Sequence, residues 1–142
     1  MRSYLLVFIQ FAAIVAILVT GPLWTAAVGL RILEGAGLAL GLWALLAMRL
    51  ANLHILPDVR PNAQLVQRGP YRLIRHPMYS ALLLTTLPLL VDHFSWVRLL
   101  FWLVLLSDLL IKLHYEERLL TASYPNYPAY QQQTKRLVPF IY

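Results

Sequence analysis

Arg68-Gly69-Pro70-Tyr71-Arg72-Leu73-Ile74-Arg75-His76-Pro77-Met78-Tyr79 gathers arginines, a histidine and two tyrosines around two prolines, immediately before the apolar run Ala81 to Val91. Proline at the first position of a helix costs no hydrogen bond and pushes the preceding residue out of the helical region. The stretch therefore predicts a helix that starts at Pro77, with His76 as its non-helical entry residue. Backbone N–H groups of that first turn are expected to point, unpaired, toward whatever lies beside Arg75 and His76, and with the helix dipole to favour an anionic group.

Outward from this corner the chain is apolar. Its 142 residues are 60% hydrophobic and 13% charged, and the mean hydropathy of +0.64 describes an integral membrane protein in one domain. Downstream, Pro77 to Val91 and Trp96 to Leu113 read as two spans joined by a turn at Asp92-His93, and the second continues to Ser123 before Pro125. Such a hairpin returns its two ends to one membrane face, which makes Pro77 a neighbour of Tyr115-Glu116-Glu117-Arg118. Upstream, Tyr4 to Thr20 is a first span ended by Gly21-Pro22, with Arg2 before it and no convincing cleavage site after it. A second span runs from about Leu33 to Leu50. Gly37 and Gly41 lie one turn apart on its face, a spacing that lets another helix approach closely, more simply within the monomer than across a dimer seam. Arg31 and Glu34 read as a solvated pair near its far end.

The expected fold is thus an all-α integral membrane protein with about four transmembrane helices, a C-terminal helical hairpin and a cytoplasmic cofactor pocket. Residues 1–51 hold two spans; residues 52–142 hold a polar, proline-rich loop, the hairpin and a tail. The interleaved apolar residues of the 52–76 loop argue against disorder, and its length argues for function. Arg2, Arg49, Arg60, Arg68, Arg72, Arg75, Arg118, Lys135 and Arg136 would share one side, and only Arg31 and Arg98 fall clearly on the other. By the positive-inside rule both termini are then cytoplasmic. The net charge of +6 is read in the same way, as a cytoplasmic face rather than a nucleic-acid surface. With no cysteine, disulfides and thiolate chemistry are excluded. His54, His76, His93 and His114 show no paired metal-ligand spacing, so no metal site is expected.

The residues able to carry chemistry converge on the same corner. Consecutive residues on a helix project about 100° apart, so only one of Glu116 and Glu117 can face Arg75 squarely while the other addresses a second partner. Asp108, Lys112 and Glu116 form a stripe at one-turn spacing. It either lines a polar pocket or reflects a snorkelling Lys112 paired with Asp108, and the spacing leaves both open. Tyr71, Tyr79, Tyr115, Tyr127 and Tyr130 are candidates for an aromatic wall.

Arg75-His76-Pro77, a hairpin and then Glu116-Glu117 resemble the signature of the isoprenylcysteine carboxyl methyltransferase family of membrane enzymes. The likeness extends through Pro61, Leu65-Val66, Gly69-Pro70-Tyr71, Tyr127, Tyr130 and the ending Thr134 to Ile141, roughly the last ninety residues. Ala81 stands where a glycine is common, and Tyr124-Pro125 where Phe-Gly is usual. The resemblance implies S-adenosylmethionine as cofactor, with His76 and Glu116 or Glu117 in contact with it. It places Arg75 near the reacting group as the catalytic candidate, and Pro77, Tyr79, Tyr71, Leu65 and Val66 in the cofactor's surroundings. A lipophilic substrate would enter from the bilayer and the cofactor from the cytoplasm. Methyl transfer needs its reacting atoms held in line at about 3 to 3.5 Å rather than extensive acid–base chemistry. Two other classes are compatible with the sequence: an NADPH-dependent membrane reductase of the sterol-reductase type, which looks similar near its C-terminus, and a membrane scaffold in which Arg75 and the glutamates only lock helices.

Overall fold

A computed structural model describes residues 2–48, 65–139 and 141–142. The prolines of the 52–64 stretch, His54, Arg49, Arg60 and the loop's expected role lie outside the described residues. Among those described there are five α-helices and no strand. They are α1 (Arg2–Val19), α2 (Val28–Met48), α3 (Pro77–Asp92), α4 (Trp96–Ser123) and α5 (Tyr127–Gln133), with a 3-10 turn at Gly69–Arg72. An isolated bridge joins Ile74 to Lys135.

The element boundaries follow from local chemistry. Thr20 Oγ1 folds back on the Ala16 carbonyl at 2.6 Å where α1 ends before Gly21-Pro22. Asp92, at the end of α3, accepts from the Ala26 N–H at 2.6 Å and the Ala27 N–H at 3.4 Å, so a carboxylate from another helix caps the start of α2. Pro77 opens α3 behind a non-helical His76, as the sequence predicts. Ser95 caps α4 by accepting from the Arg98 N–H at 3.1 Å, and α4 runs to Ser123 before Pro125.

Helix α2 packs along α3, and α1 along α4. The α2 glycines explain the first pairing. A Cβ on Gly37 would sit 2.7 Å from the Thr85 nitrogen, and one on Gly41 would sit 3.3 Å from Ala81 Cβ, so the glycine face packs within the chain. Ala13, Ile17, Leu89, Leu105 and Leu109 form the apolar core between α1, α3 and α4. A second cluster of Ala44, Ala47 and Tyr71 fixes the 3-10 turn on the end of α2. There Gly69 has φ +59°, open to glycine at little cost, and lies so close to Ala47 that a Cβ would meet it at 2.8 Å. Arg68 Nε donates to the Ala47 carbonyl at 2.8 Å beside it.

By length and composition α2 is long and apolar enough to cross a membrane, and α1 and α3 are apolar but shorter. The part of α4 from Trp96 to Leu113 holds Arg98, Asp108 and Lys112. Large apolar side chains point outward along the helices, with Phe8, Leu46 and Trp96 at least 70% exposed, so the apolar surface greatly exceeds the core.

One sequence expectation changes at the end where α1 and α3 finish. Arg31 and Glu34 do not form a solvated pair. Glu34 is buried and accepts from Thr25 N–H and Oγ1 at 3.3 and 3.1 Å, while Arg31 donates twice to the Thr25 carbonyl. The irregular turn before α2 presents Thr25 donors and an acceptor that suit each partner separately. Arg98 is completely buried; its guanidinium donates to Ile17 O at 3.1 and 3.0 Å, to Leu89 O at 2.7 Å and to Pro22 O at 3.0 Å. One side chain thus ties together carbonyls at the ends of α1 and α3.

Candidate functional site

At the opposite end of α4, the α3–α4 hairpin brings His76 between two glutamates. Nδ1 lies 3.3 Å from Glu116 Oε2, and Nε2 lies 3.5 Å from Glu117 Oε1 without the alignment of a hydrogen bond. The two carboxylates have different partners, as their helical spacing requires. Glu117 takes Arg75 Nε on Oε1 at 2.7 Å and Arg136 Nε on Oε2 at 3.1 Å. Glu116 accepts from the Tyr79 hydroxyl. The Tyr79 ring is stacked on His76, 5.4 Å between centroids and 4° from parallel.

Arg75 is fastened beyond Glu117. Its Nη1 donates to the Gln131 carbonyl at 3.1 Å and to the Thr134 carbonyl, which ties the hairpin to α5 and the tail. The tail then closes over the start of α3. Arg75 N–H donates to Lys135 O at 2.7 Å, His76 N–H to Arg136 O at 3.0 Å, and Ser80 Oγ to Leu137 O at 2.6 Å. This corrects the expectation of open N–H groups at the first turn: Tyr79 and Ser80 N–H both return to the His76 carbonyl at 3.1 Å. The tail carbonyls of Lys135 and Arg136 take the N–H groups just ahead of the helix, because the residues after α5 run alongside Leu73 to His76.

The electrostatics follow from this packing. Burial alone lowers the His76 pKa, but the hydrogen bonds and charges of Glu116 and Glu117 outweigh it and raise the value. Burial pushes Glu117 up, yet His76 and Arg75 together hold it down at about 2. Burial also raises Tyr71, and Tyr130 is pushed up to about 12 by the same cause.

The remaining sequence candidates divide. His76, Pro77, Tyr79, Glu116, Glu117 and Arg75 meet at the corner. Tyr71 lies behind it, receiving the Tyr130 hydroxyl on its carbonyl at 2.6 Å, while the rings of Tyr127 and Tyr130 are 5.8 Å apart. Val66 packs on the Ala44, Ala47 and Tyr71 cluster at the end of α2, and Leu65 is half-buried just before it, so neither is brought to the corner by a contact among the described residues. Lys112 does not snorkel. It is buried, donates to Gln10 Oε1 at 2.6 Å and lies 5.4 Å over the Tyr79 ring. Gln10 and Ser80 are polar contributors that sequence reasoning passed over; a polar residue inside an apolar run was the available signal for Gln10.

Among the described residues the fold is all-helical, with one helix long and apolar enough to cross a membrane and a buried carboxylate–imidazole–guanidinium cluster where two helices meet. A family model described as phospholipid methyltransferase matches residues 24–127, and the chain belongs to that methyltransferase family. The family is related to the isoprenylcysteine carboxyl methyltransferase-like enzymes that the motifs resemble. Comparison with curated proteins and with solved structures gives no match.

Proposed function

We propose that this protein is an S-adenosylmethionine-dependent methyltransferase acting on a lipophilic, isoprenoid- or lipid-like acceptor at the membrane, with carboxyl O-methylation among the chemistries its basic corner suits. The observation that carries the reading is His76 set between Glu116 and Glu117 at the junction of α3, α4 and the tail, in a chain of a methyltransferase family. In this reading α1 to α4 are four spans, both ends and the corner lie on the cytoplasmic side, and the exposed apolar side chains face lipid. The grouping of Arg68, Arg72, Arg75, Arg118, Lys135 and Arg136 at one end of the hairpin supports that orientation.

The residues fit the donors of the cofactor better than its carboxylate. Glu116 and Glu117 suit its ammonium and ribose hydroxyls, and the aligned-bond-free Nε2 of His76 offers one more polar contact. Tyr79 and Tyr71 supply aromatic surface beside them. When bound, the cofactor's sulfonium supplies the methyl group. The chain's own work is to position: Arg75 holds Glu117 and fastens the tail, so its contribution to catalysis runs through Glu117 as well as through any acceptor it meets.

The test is thermal denaturation of detergent-purified protein with S-adenosylhomocysteine. A ligand that binds only the folded state at a hundred times its Kd adds about 2.7 kcal/mol and raises Tm measurably. S-adenosylhomocysteine should raise Tm, and the double replacement Glu116→Gln with Glu117→Gln should abolish that rise. A rise with NADPH and none with S-adenosylhomocysteine would instead support the reductase, and no rise with either would support the scaffold.

A further inference from the structure

One buried cation is left out of the corner's hydrogen bonds. Lys112 is 2% exposed, and its ammonium donates to Gln10 Oε1 at 2.6 Å rather than to Glu116, one turn along α4. It lies 5.4 Å from the centroid of the Tyr79 ring, within the distance at which an aromatic face holds a cation. Tyr79 in turn serves the corner twice: its ring is stacked on His76, and its hydroxyl is accepted by Glu116. An ammonium seated on the ring restricts its orientation, and a restricted ring aims its hydroxyl.

Burying an ammonium is costly, and a lysine side chain is long enough to carry its charge toward the polar end of a helix. Lys112 is instead kept inside by the Gln10 amide oxygen, which α1 supplies. Asp108, one turn before Lys112 and 3% exposed, offsets its charge. The Asp108 oxygens take no hydrogen bond among the described residues, so they do not draw the ammonium away from Gln10. A link therefore runs from α1 through Lys112 to Tyr79 and Glu116. Its first member stands outside residues 24–127, the part that the family model matches.

We propose that Gln10 and Lys112 are positioning residues for the corner, holding the Tyr79 ring so that its hydroxyl aims Glu116 at a ligand's polar groups. The inference rests on the proposed function for the identity of that ligand, and the link itself is also tested without it.

Two probes are placed in the full detergent-purified chain, each with and without Tyr79→Leu. Gln10→Leu removes the acceptor and keeps the bulk. Lys112→Met is made together with Asp108→Leu, so that neither charge stays buried without the other, a replacement that is often neutral for stability. With Tyr79 present, each probe should raise the Kd for S-adenosylhomocysteine about fivefold, the scale of one lost hydrogen bond. With Tyr79→Leu neither should raise it further, because the ring through which both act is gone; lost packing alone would weaken binding equally in the two backgrounds. Without ligand, the Tm loss caused by Tyr79→Leu should be about 3 °C smaller once Lys112 and Asp108 are replaced, since the cation is already absent. Equal fold-losses of affinity in the two backgrounds, or additive Tm losses, would overturn the proposal. Coupled Tm losses in a chain that shows no binding of S-adenosylhomocysteine would keep the link and remove the methyltransferase reading instead.

Discussion

Arg98 and Arg75 sit toward opposite ends of the α3–α4 hairpin, and both are largely withdrawn from solvent. Among the described residues Arg98 meets backbone carbonyls, those of Ile17, Leu89 and Pro22, and no acid. Arg75 meets Glu117 as well as carbonyls, and that acid is shared with Arg136 and His76. The contrast separates two uses of one side chain. A guanidinium in a cage of carbonyls closes helix ends and has nothing left to exchange. A guanidinium paired with a carboxylate that also serves an imidazole keeps several charges in one place, where a ligand's polar groups can compete for them.

The largest effect is expected at the carbonyl cage. Arg98→Leu removes four hydrogen bonds to the Ile17, Leu89 and Pro22 carbonyls, at about 1 kcal/mol or more each. That is a large share of the roughly 5–15 kcal/mol by which a protein is stable. The variant should give little monodisperse protein by size-exclusion chromatography, whereas a folded Arg98→Leu protein would show that the cage is dispensable. Gly21→Ala probes the cage without touching the arginine, since the new Cβ would lie 2.7 Å from Nη2 of a guanidinium pinned by its bonds. A cost of about 1–3 kcal/mol is expected.

Glu117→Gln comes next. Glutamine still accepts one hydrogen bond but leaves Arg75 and Arg136 without their anion, so about 1–3 kcal/mol should be lost at neutral pH. The pH dependence gives the sign. Glu117 titrates at about 2 in the fold against 4.5 ordinarily, so its stabilisation is present above 4.5 and is lost as pH falls toward 2. The gap in Tm between parent and Glu117→Gln should therefore narrow on acidification through that window. A gap that widens would mean that Glu117 is not the anion of the cluster.

How the two ends were legible differs for a physical reason. Pro77, the hairpin and Glu116-Glu117 are local or one-connection features, and proline geometry and helix periodicity carry them. The pairing of Arg75 with one glutamate follows from the 100° step of a helix. Arg98, by contrast, is placed by its sequence on the far side and no more, because its partners are carbonyls and every residue has one. The tail carbonyls that take the N–H groups just ahead of α3 were hidden for the same reason. Gln10 meets Lys112 across more than a hundred positions, and no short-range pattern reports such a contact.

Arg75→Lys sharpens the acid side of the comparison. Lysine keeps the charge opposite Glu117 but cannot bond Glu117, Gln131 and Thr134 from one planar fork. Folding should be retained, with turnover of a lipophilic acceptor reduced about a hundredfold, the scale of a small misplacement at a reacting centre. Full turnover would reduce Arg75 to a counter-charge, and the two arginines would then differ less than their surroundings suggest.

Tyr79→Phe is the finest cut and should have the smallest effect. The phenylalanine ring keeps the stack on His76 and the face beneath Lys112, so only the hydroxyl that Glu116 accepts is removed. Glu116 is the less buried of the two glutamates, its side chain 22% exposed against 7% for Glu117, so water can replace the lost bond. The unliganded protein should lose about 1 kcal/mol or less. If the hydroxyl serves to aim Glu116 at a ligand, the Kd for S-adenosylhomocysteine should rise about fivefold while Tm without ligand barely moves. Tyr79→Leu, which also removes the ring, should lower both. Equal losses in the two variants, with and without ligand, would mean that Tyr79 matters only as packing, and that Glu116 belongs with Arg98 among the groups that hold the helices together.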